Sequence, residues 1–365
     1  MQVTVGTSVT IALKRWIGWT IVVSLLLSHT AASGQKSVTI RNDVTRQDTS
    51  RAIIDAHDGC LEQFGDTFYL YGTKYGKTDG FSHENRFVCY SSKDLINWTY
   101  HGEILRDFPT GVYYRPHAIY NRGTGKYVMW YNWYPGKCCY DGRYGVAIAD
   151  SPEGPFVIKS LKADVKSPIS PGDHNLFVDD DGIAYLVYTV DTDVANIGHH
   201  RLCIERLTSD YLSTTRETSD FIAGNVEAPA MFKRNGVYYV LFDNTCCFCR
   251  SGTGARVYMA KRPLGPYVYN GNINRIGAES RGLSSPHTDA ANGRPDSIVP
   301  AQQTHVAAIR TRNGVKHIWM GDLWGSSADG IKGHDLQYWS SPLEFYEDGM
   351  IKQLRWENNW SIDLP

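Results

Sequence analysis

Along the chain, runs of alternating or continuous apolar residues are short, and most open on a Gly- or Asp-containing turn. Five such runs share one pattern: a turn, then a strand rich in Tyr and β-branched residues. They are Gly65–Tyr71, Gly125–Tyr131, Asp181–Tyr188, Asn235–Phe242 and Asn313–Met320. Asp-Gly or Asn-Gly before such a run is a strong hairpin signal. Anchored on Tyr69, Tyr127, Tyr185, Tyr239 and Ile318, the copies are spaced by 58, 58, 54 and 79 residues. A repeat of several strands at roughly 40–60 residues is the signature of propeller blades. Each copy has a strand before it, such as Ala118-Ile119-Tyr120 or Leu176-Phe177-Val178, and a third strand after it, such as Val88-Cys89-Tyr90 or Val257-Tyr258-Met259. No long amphipathic helix interrupts the series. The pattern predicts an all-β, five-bladed β-propeller over residues 35–365. The polar, Gly/Pro-containing stretch from Gly271 to Pro300 is expected to be a loop between blades four and five.

Residues 1–34 break the pattern. Lys14 and Arg15 precede an apolar run from Trp16 to Leu27, and Ala31-Ala32-Ser33-Gly34 follows. The run is shorter than the about 20 residues that span a bilayer, so it is expected to be a cleaved signal peptide, leaving a secreted chain with no membrane segment. Cysteines at 60, 89, 138, 139, 203, 246, 247 and 249 all lie beyond it. An even number in an exported chain favours disulfides, whose pairing the sequence leaves open. Cys246-Cys247-Phe248-Cys249 lacks a second ligand pair at zinc spacing, and a disulfide within it would shape a pocket rim. Asn97-Trp98-Thr99 and Asn359-Trp360-Ser361 are glycosylation sequons.

Charge narrows the partners. With 37 Lys+Arg against 38 Asp+Glu the net charge is −1, and nucleic-acid binding by a basic field is excluded. The 23 Tyr and 10 Trp suit half-buried strands and also suit stacking on sugar rings.

In a propeller the innermost strand of each blade runs into the axial pocket, so polar residues there are candidates for chemistry. Three carboxylates stand at such positions: Asp58 in Ala56-His57-Asp58-Gly59, Asp173 in Pro171-Gly172-Asp173-His174-Asn175, and Glu227 in Val226-Glu227-Ala228-Pro229. Acids on inner strands need a partner or a task. Singly, an Asp beside Gly is most often a turn residue, and Asp179-Asp180-Asp181-Gly182 reads as a solvated hairpin turn.

Together, in this order and on these blades, the segments resemble glycoside hydrolase family 43 over nearly the whole of residues 35–365. Glu227–Gly236, Arg115-Pro116-His117-Ala118-Ile119-Tyr120-Asn121, Gln302-Gln303-Thr304 and Gly321-Asp322-Leu323-Trp324 are most similar to its exo-β-1,3-galactanase branch. Two positions depart from that branch: Tyr114 stands where it has Glu before Arg-Pro, and Asp58 where it has Gly. The resemblance therefore implies a secreted, inverting, exo-acting glycosidase for galactose- or arabinose-containing glycans. It leaves galactan 1,3-β-galactosidase, β-galactosidase and α-L-arabinofuranosidase open. Asp58 would be the base, Glu227 the acid, and Asp173 the group that modulates or orients it. His57, Tyr114, Arg115, His117, Gln302 and Trp324 are expected to line the pocket. The chemistry requires no cofactor. His174 and His305 are placed to approach an ion or water in the axial channel, where a structural Ca²⁺ would fit, and a monomer is expected. The competing reading is a non-catalytic carbohydrate-binding propeller of the same family.

Overall fold

The computed structural model describes residues 36–136, 141–167, 171–191, 200–275 and 297–365. The expected leader, Cys138, Cys139 and most of the 271–300 stretch lie outside these residues. Among the described residues no helix is long and apolar enough to cross a membrane.

Five antiparallel sheets follow one another along the chain. Blade 1 is β2 (His57–Phe64), β3 (Thr67–Lys74), β4 (Arg86–Ser92) and β5 (Thr99–Glu103). Blade 2 is β6 (Val112–Asn121), β7 (Lys126–Tyr134), β8 (Arg143–Ala149) and β9 (Val157–Ser160). Blade 3 is β10 (His174–Val178), β11 (Ala184–Val190), β12 (Arg201–Leu207) and β13 (Thr214–Thr218). Blade 4 is β14 (Val226–Arg234), β15 (Val237–Asn244), β16 (Arg256–Ala260) and β17 (Val268–Asn272). Blade 5 has three strands, β18 (Gln302–Thr311), β19 (Gly314–Leu323) and β20 (Leu336–Trp339). The protein is a five-bladed β-propeller, and the Tyr-rich repeats are the second strand of each blade.

The packing explains why those second strands read as nearly continuous apolar runs. Both faces of a blade are covered by its neighbours, so odd and even side chains are buried in different cores. Phe68 and Leu70 of β3 pack toward blade 5, while Tyr69 and Tyr71 pack toward blade 2. Val128 and Trp130 of β7 face blade 3, and Met129 and Tyr131 face blade 1. Turn chemistry supplies the hairpins: Asn235 and Gly236, at φ 50° and 73°, give the paired left-handed conformations of a type I′ turn between β14 and β15.

Closure comes from the two ends of the described chain. β1 (Lys36–Arg41) pairs antiparallel with β21 (Asn359–Leu364), in register from Lys36↔Leu364 to Arg41↔Asn359. Val38, Ile40, Trp360, Ile362 and Leu364 complete the core between blades 5 and 1. Asn42 bonds the outer strand of blade 5 in both directions, its Nδ2 donating to the Trp339 carbonyl and its Oδ1 accepting from the Trp339 N–H, each at 3.0 Å. Trp360 Nε1 donates to the same Trp339 carbonyl at 2.7 Å. Neither terminal strand stands out in the sequence as a sixth sheet, because each is short and half exposed.

The cysteines bear out a disulfide within Cys246–Cys249. Of the six described, only Cys246 and Cys249 are bonded to each other, and Cys60, Cys89, Cys203 and Cys247 are free. Cys60 and Cys89 both sit opposite Tyr71, on either side of β3. Two strand spacings separate their Cα atoms by roughly 9–10 Å, beyond the about 7 Å that a disulfide spans. They act as small apolar core residues.

If ring closure depends on this clasp, Trp360→Ala should destabilise the protein by about 3–5 kcal/mol, read as a lowered urea midpoint. An unchanged midpoint would show that the two terminal strands do not hold the ring.

Candidate active site

The innermost strands do not run straight into the axis. β2, β6, β14 and β18 each carry a register shift near their start, between His57 and Cys60, Tyr114 and His117, Glu227 and Ala230, and Gln303 and His305. A bulge sets two residues opposite one and re-aims the side chains beside it. In three blades the bulged residue has a left-handed backbone: Asp58 at φ 51°, Arg115 at 53° and Ala228 at 50°. Gly59 is required beside the first, since a Cβ there would lie 1.9 Å from the Tyr71 carbonyl oxygen.

Side chains of all five blades enter one pocket, and in blades 1, 2, 4 and 5 the innermost strand is bulged beside it. It is lined by Asp58, Tyr75, Tyr114, Arg115, Tyr134, Gly172, Asp173, His200, Glu227, Cys247, Phe248, Gln302 and Trp324. The three carboxylates singled out in the sequence therefore share one cavity, together with Tyr114, Arg115, Gln302 and Trp324.

Arg115 is the hub. Its Nε is 2.9 Å from Asp173 Oδ1, and its two terminal nitrogens donate to the Gln303 and Thr304 carbonyls at 3.3 Å. Its backbone N–H donates to Asp58 Oδ2 at 3.3 Å. Asp173 Oδ2 in turn accepts from the Ala228 N–H at 2.9 Å, and Gln303 Nε2 donates to the Ala228 carbonyl at 2.6 Å. The guanidinium is buried and lies among Asp173, Asp58, Asp243 and Glu227, which hold its charge more firmly than usual against the opposing effect of burial.

The acids have different environments. Asp58 is buried, which pushes its carboxyl up to about 7 even though Arg115, Thr73 and Tyr75 act to lower it. Tyr75 Oη donates to its Oδ2 at 2.8 Å. Glu227 is raised well above the ordinary glutamate range, first by burial and then by Asp173 and Asp243. The Cys246 N–H, 3.1 Å from its Oε2, and Arg115 pull in the other direction. Gln302 Nε2 reaches the same Oε2 at 3.5 Å, while its Oε1 accepts from Trp324 Nε1 at 2.8 Å. Behind Glu227, across the ladder, Asp243 is fully buried and burial raises it to about 8.

Two expected pocket residues lie elsewhere. His57 is buried behind Asp58, its Nδ1 3.0 Å from Asp322 Oδ1, while Asp322 Oδ2 accepts from the Asp58 N–H at 2.7 Å. Burial opposes its charge, yet Asp322 and Asp55 hold it up to about 9. The bulge sends the neighbouring Asp58 to the pocket and His57 away from it. His117 lies past its own bulge, deeper along the axis, where Glu62 Oε1 is 3.1 Å from its Nε2. His174 is also off the axis, with its Nδ1 2.8 Å from Asn132 Oδ1.

The axial channel below the pocket holds Glu62, His117, His305 and Asn175. The Leu176 N–H donates to His117 Nδ1 at 3.0 Å, so the proton of that ring is on Nε2, facing Glu62. Asn175 Nδ2 lies 3.0 Å from His305 Nδ1, and His305 Nε2 lies 3.7 Å from Glu62 Oε1. Calcium takes six to eight oxygen ligands. Among the described residues the carboxylate there is Glu62, which faces two imidazoles, and His117 has no free lone pair, so these donors do not fit a Ca²⁺. Cys60, Glu62 and His117 come within 4.8 Å of one another, and the same engaged imidazole closes that set.

Tyr75, Tyr134, His200 and the supporting Asp322 and Asp243 were not found from the sequence, whereas the Cys246–Cys249 segment was expected at the pocket rim. Tyr75 and Tyr134 are masked by the many strand tyrosines. Asp322 belongs to a motif noted for its Trp, and Asp243 had no signal except its place at the end of a second strand.

With this geometry in place, the comparisons are specific. The sequence profile of glycosyl hydrolases family 43 matches residues 52–289, and the chain belongs to that family. An arabinoxylan arabinofuranohydrolase of Bacillus subtilis is 27% identical over 307 residues, covering 70% of this chain and 57% of that protein. The chain thus spans little more than half the length of that relative. A β-D-galactofuranosidase of Aspergillus niger is 26% identical over 242 residues, covering 61% of this chain and 66% of that protein. The crystal structure of an exo-β-1,3-galactanase from Clostridium thermocellum superposes with a TM-score of 0.70 at 25% identity, covering 89% of this chain and 67% of the other.

Arg115→Met would leave Asp173 and two carbonyls without their donor in a buried site. The expected cost is about 3–5 kcal/mol, measured by denaturant unfolding. A variant as stable as the wild type would show that the guanidinium does not tie the blades together.

Proposed function

We propose that the protein is an exported glycosidase that hydrolyses terminal galactosyl or arabinosyl units of a glycan with inversion. The observation that carries this reading is the convergence, in one pocket, of three carboxylates from three blades, two of which, Asp58 and Glu227, are raised chiefly by burial but have different neighbours. Glycoside hydrolysis with inversion needs an ionised base to activate water and a protonated acid for the departing oxygen. Asp58, near 7 and held by Tyr75, is the candidate base. Glu227, kept protonated by burial and by Asp173, is the candidate acid. Asp173, fixed by Arg115 and the Ala228 N–H, supplies the negative neighbour. In the step, Asp58 takes a proton from water as the oxygen attacks the anomeric carbon. Glu227 gives its proton to the leaving oxygen, and the two carboxyl groups exchange states.

The choice of sugar rests on the family and on the arabinoxylan arabinofuranohydrolase, β-D-galactofuranosidase and exo-β-1,3-galactanase to which the chain is similar. Export rests on the basic and apolar pattern of the first 34 residues. A monomer acting on an oligo- or polysaccharide completes the reading.

The first test is release from a panel of nitrophenyl galactosides and arabinosides, followed by an unactivated disaccharide of the sugar that is released. Glu227→Gln should lower kcat on the disaccharide by about 10²–10⁴-fold, and ¹H NMR should show the inverted anomer first. Equal turnover by the two proteins would dismiss Glu227 as the acid. Sugar binding without turnover would instead favour the non-catalytic carbohydrate-binding propeller.

The pH dependence has a defined sign. The base works only above its own titration, so the acidic limb of kcat/KM should lie near 7. The hydroxyl of Tyr75 stabilises ionised Asp58, and its removal in Tyr75→Phe should move that limb to higher pH. A limb that stays in place, or moves down, would contradict the assignment of Asp58.

A further inference from the structure

The short loop that follows the second strand of blade 4 does more than form a rim. Cys246 and Cys249 are bonded to each other, and two backbone N–H groups of this loop point at the acid assembly. The Cys246 N–H donates to Glu227 Oε2 at 3.1 Å. The Phe248 N–H donates to Gln302 Oε1 at 3.1 Å, and the amide end of that Gln302 approaches the same Glu227 Oε2 at 3.5 Å. Among the described residues, every hydrogen bond to the carboxyl therefore falls on one oxygen.

The loop is also anchored at its tip. Phe248, at φ 59°, packs its ring edge-on against Trp324 at 4.9 Å and Tyr75 at 5.6 Å between centroids. It rests on the bare backbone of Gly80, where a Cβ would come within 2.6 Å of the ring. Lys332 Nζ lies 3.8 Å from the ring centroid on the other side. The loop of blade 4 is thus held by blade 1 and blade 5 while its N–H groups hold the acid.

We propose that the disulfide-closed loop Cys246–Cys249 is the positioning element of the acid: it fixes Glu227 Oε2 as the hydrogen-bond acceptor and leaves Oε1 to carry the proton. The inference rests on the glycosidase reading and names what orients the acid. A protonated carboxyl accepts through one oxygen and donates through the other. Donors placed on Oε2 therefore decide which oxygen bears the proton and where it points. That proton passes from Oε1 to the leaving glycosidic oxygen, and the carboxylate left behind keeps its two donors.

The test compares the wild type with the double variant Cys246→Ser/Cys249→Ser on two substrates of the same sugar. One is an unactivated disaccharide and the other a dinitrophenyl glycoside, whose leaving group departs without a proton. Loss of a positioned acid should lower kcat on the disaccharide by about 10–100-fold and on the dinitrophenyl glycoside by less than about threefold. Equal losses on both would mean a merely structural role and would overturn the proposal. Treating folded wild type with a phosphine reductant should reproduce the selective loss and reoxidation should reverse it. The same treatment should leave the double variant unchanged, and a further loss there would place the effect at other cysteines. A readout independent of turnover is the ¹³C NMR titration of the Glu227 carboxyl. Without the loop donors, which favour its charged form, its midpoint should move to higher pH. An unchanged midpoint overturns the proposal even if the wild type proves to hydrolyse neither substrate, an outcome that would by itself defeat the functional reading.

Discussion

One buried guanidinium links the whole ring. Arg115 of blade 2 bonds Asp173 ahead of blade 3 and two carbonyls of blade 5, and its own N–H reaches Asp58 of blade 1. Asp173 holds the backbone of blade 4, and blade 4 is tied back to blade 5 through Gln303. Propeller blades otherwise meet through apolar side chains, which resist separation but set position only loosely. A charge that is buried and satisfied on all sides is intolerant of displacement, because any blade that slips leaves a carboxylate or a carbonyl unpaired. The floor of the pocket is thus fixed by the same contacts that make it acidic.

That arrangement also explains how similar side chains can take different roles. Asp58 and Glu227 are both raised chiefly by burial, but Asp58 has Tyr75, Thr73 and Arg115 to stabilise its charge. Glu227 faces two further acids, Asp173 and Asp243. Asp173 is paired directly with the cation and accepts a backbone N–H. Environment, rather than residue type, sets the two proposed roles of base and acid apart.

Much of the fold was legible in the chain. A blade buried on both faces cannot show the simple apolar–polar alternation of a one-sided sheet, so Tyr127–Tyr134 and Ala184–Val190 read as nearly continuous apolar runs, and turn dipeptides mark where each begins. The second strands and the innermost strands before them were found in this way. The β1–β21 clasp was not, since its partners lie at opposite ends of the described chain and pairing over such a distance leaves no local pattern. Pairing of the cysteines was open for a related reason: their number suggests bridges, but whether two of them can meet depends on which strands lie between them.

For the site, the sequence by itself determined the residue types, their order and the blade to which each belongs, because those follow from local turn and strand signals. It placed Asp58, Asp173 and Glu227 at inner-strand starts. It could not distinguish Asp58 from His57, or Arg115 from His117, as the side chain that reaches the pocket. That depends on bulges at φ near 50° which invert the expected alternation. Nor could it bring Tyr75, Asp322 or Asp243 to the acids, or show that N–H groups of the Cys246–Cys249 loop, expected at the rim, reach Glu227 and Gln302. Their places are set by neighbouring blades packing against one another, and the burial that this packing creates is what tunes the carboxyl groups.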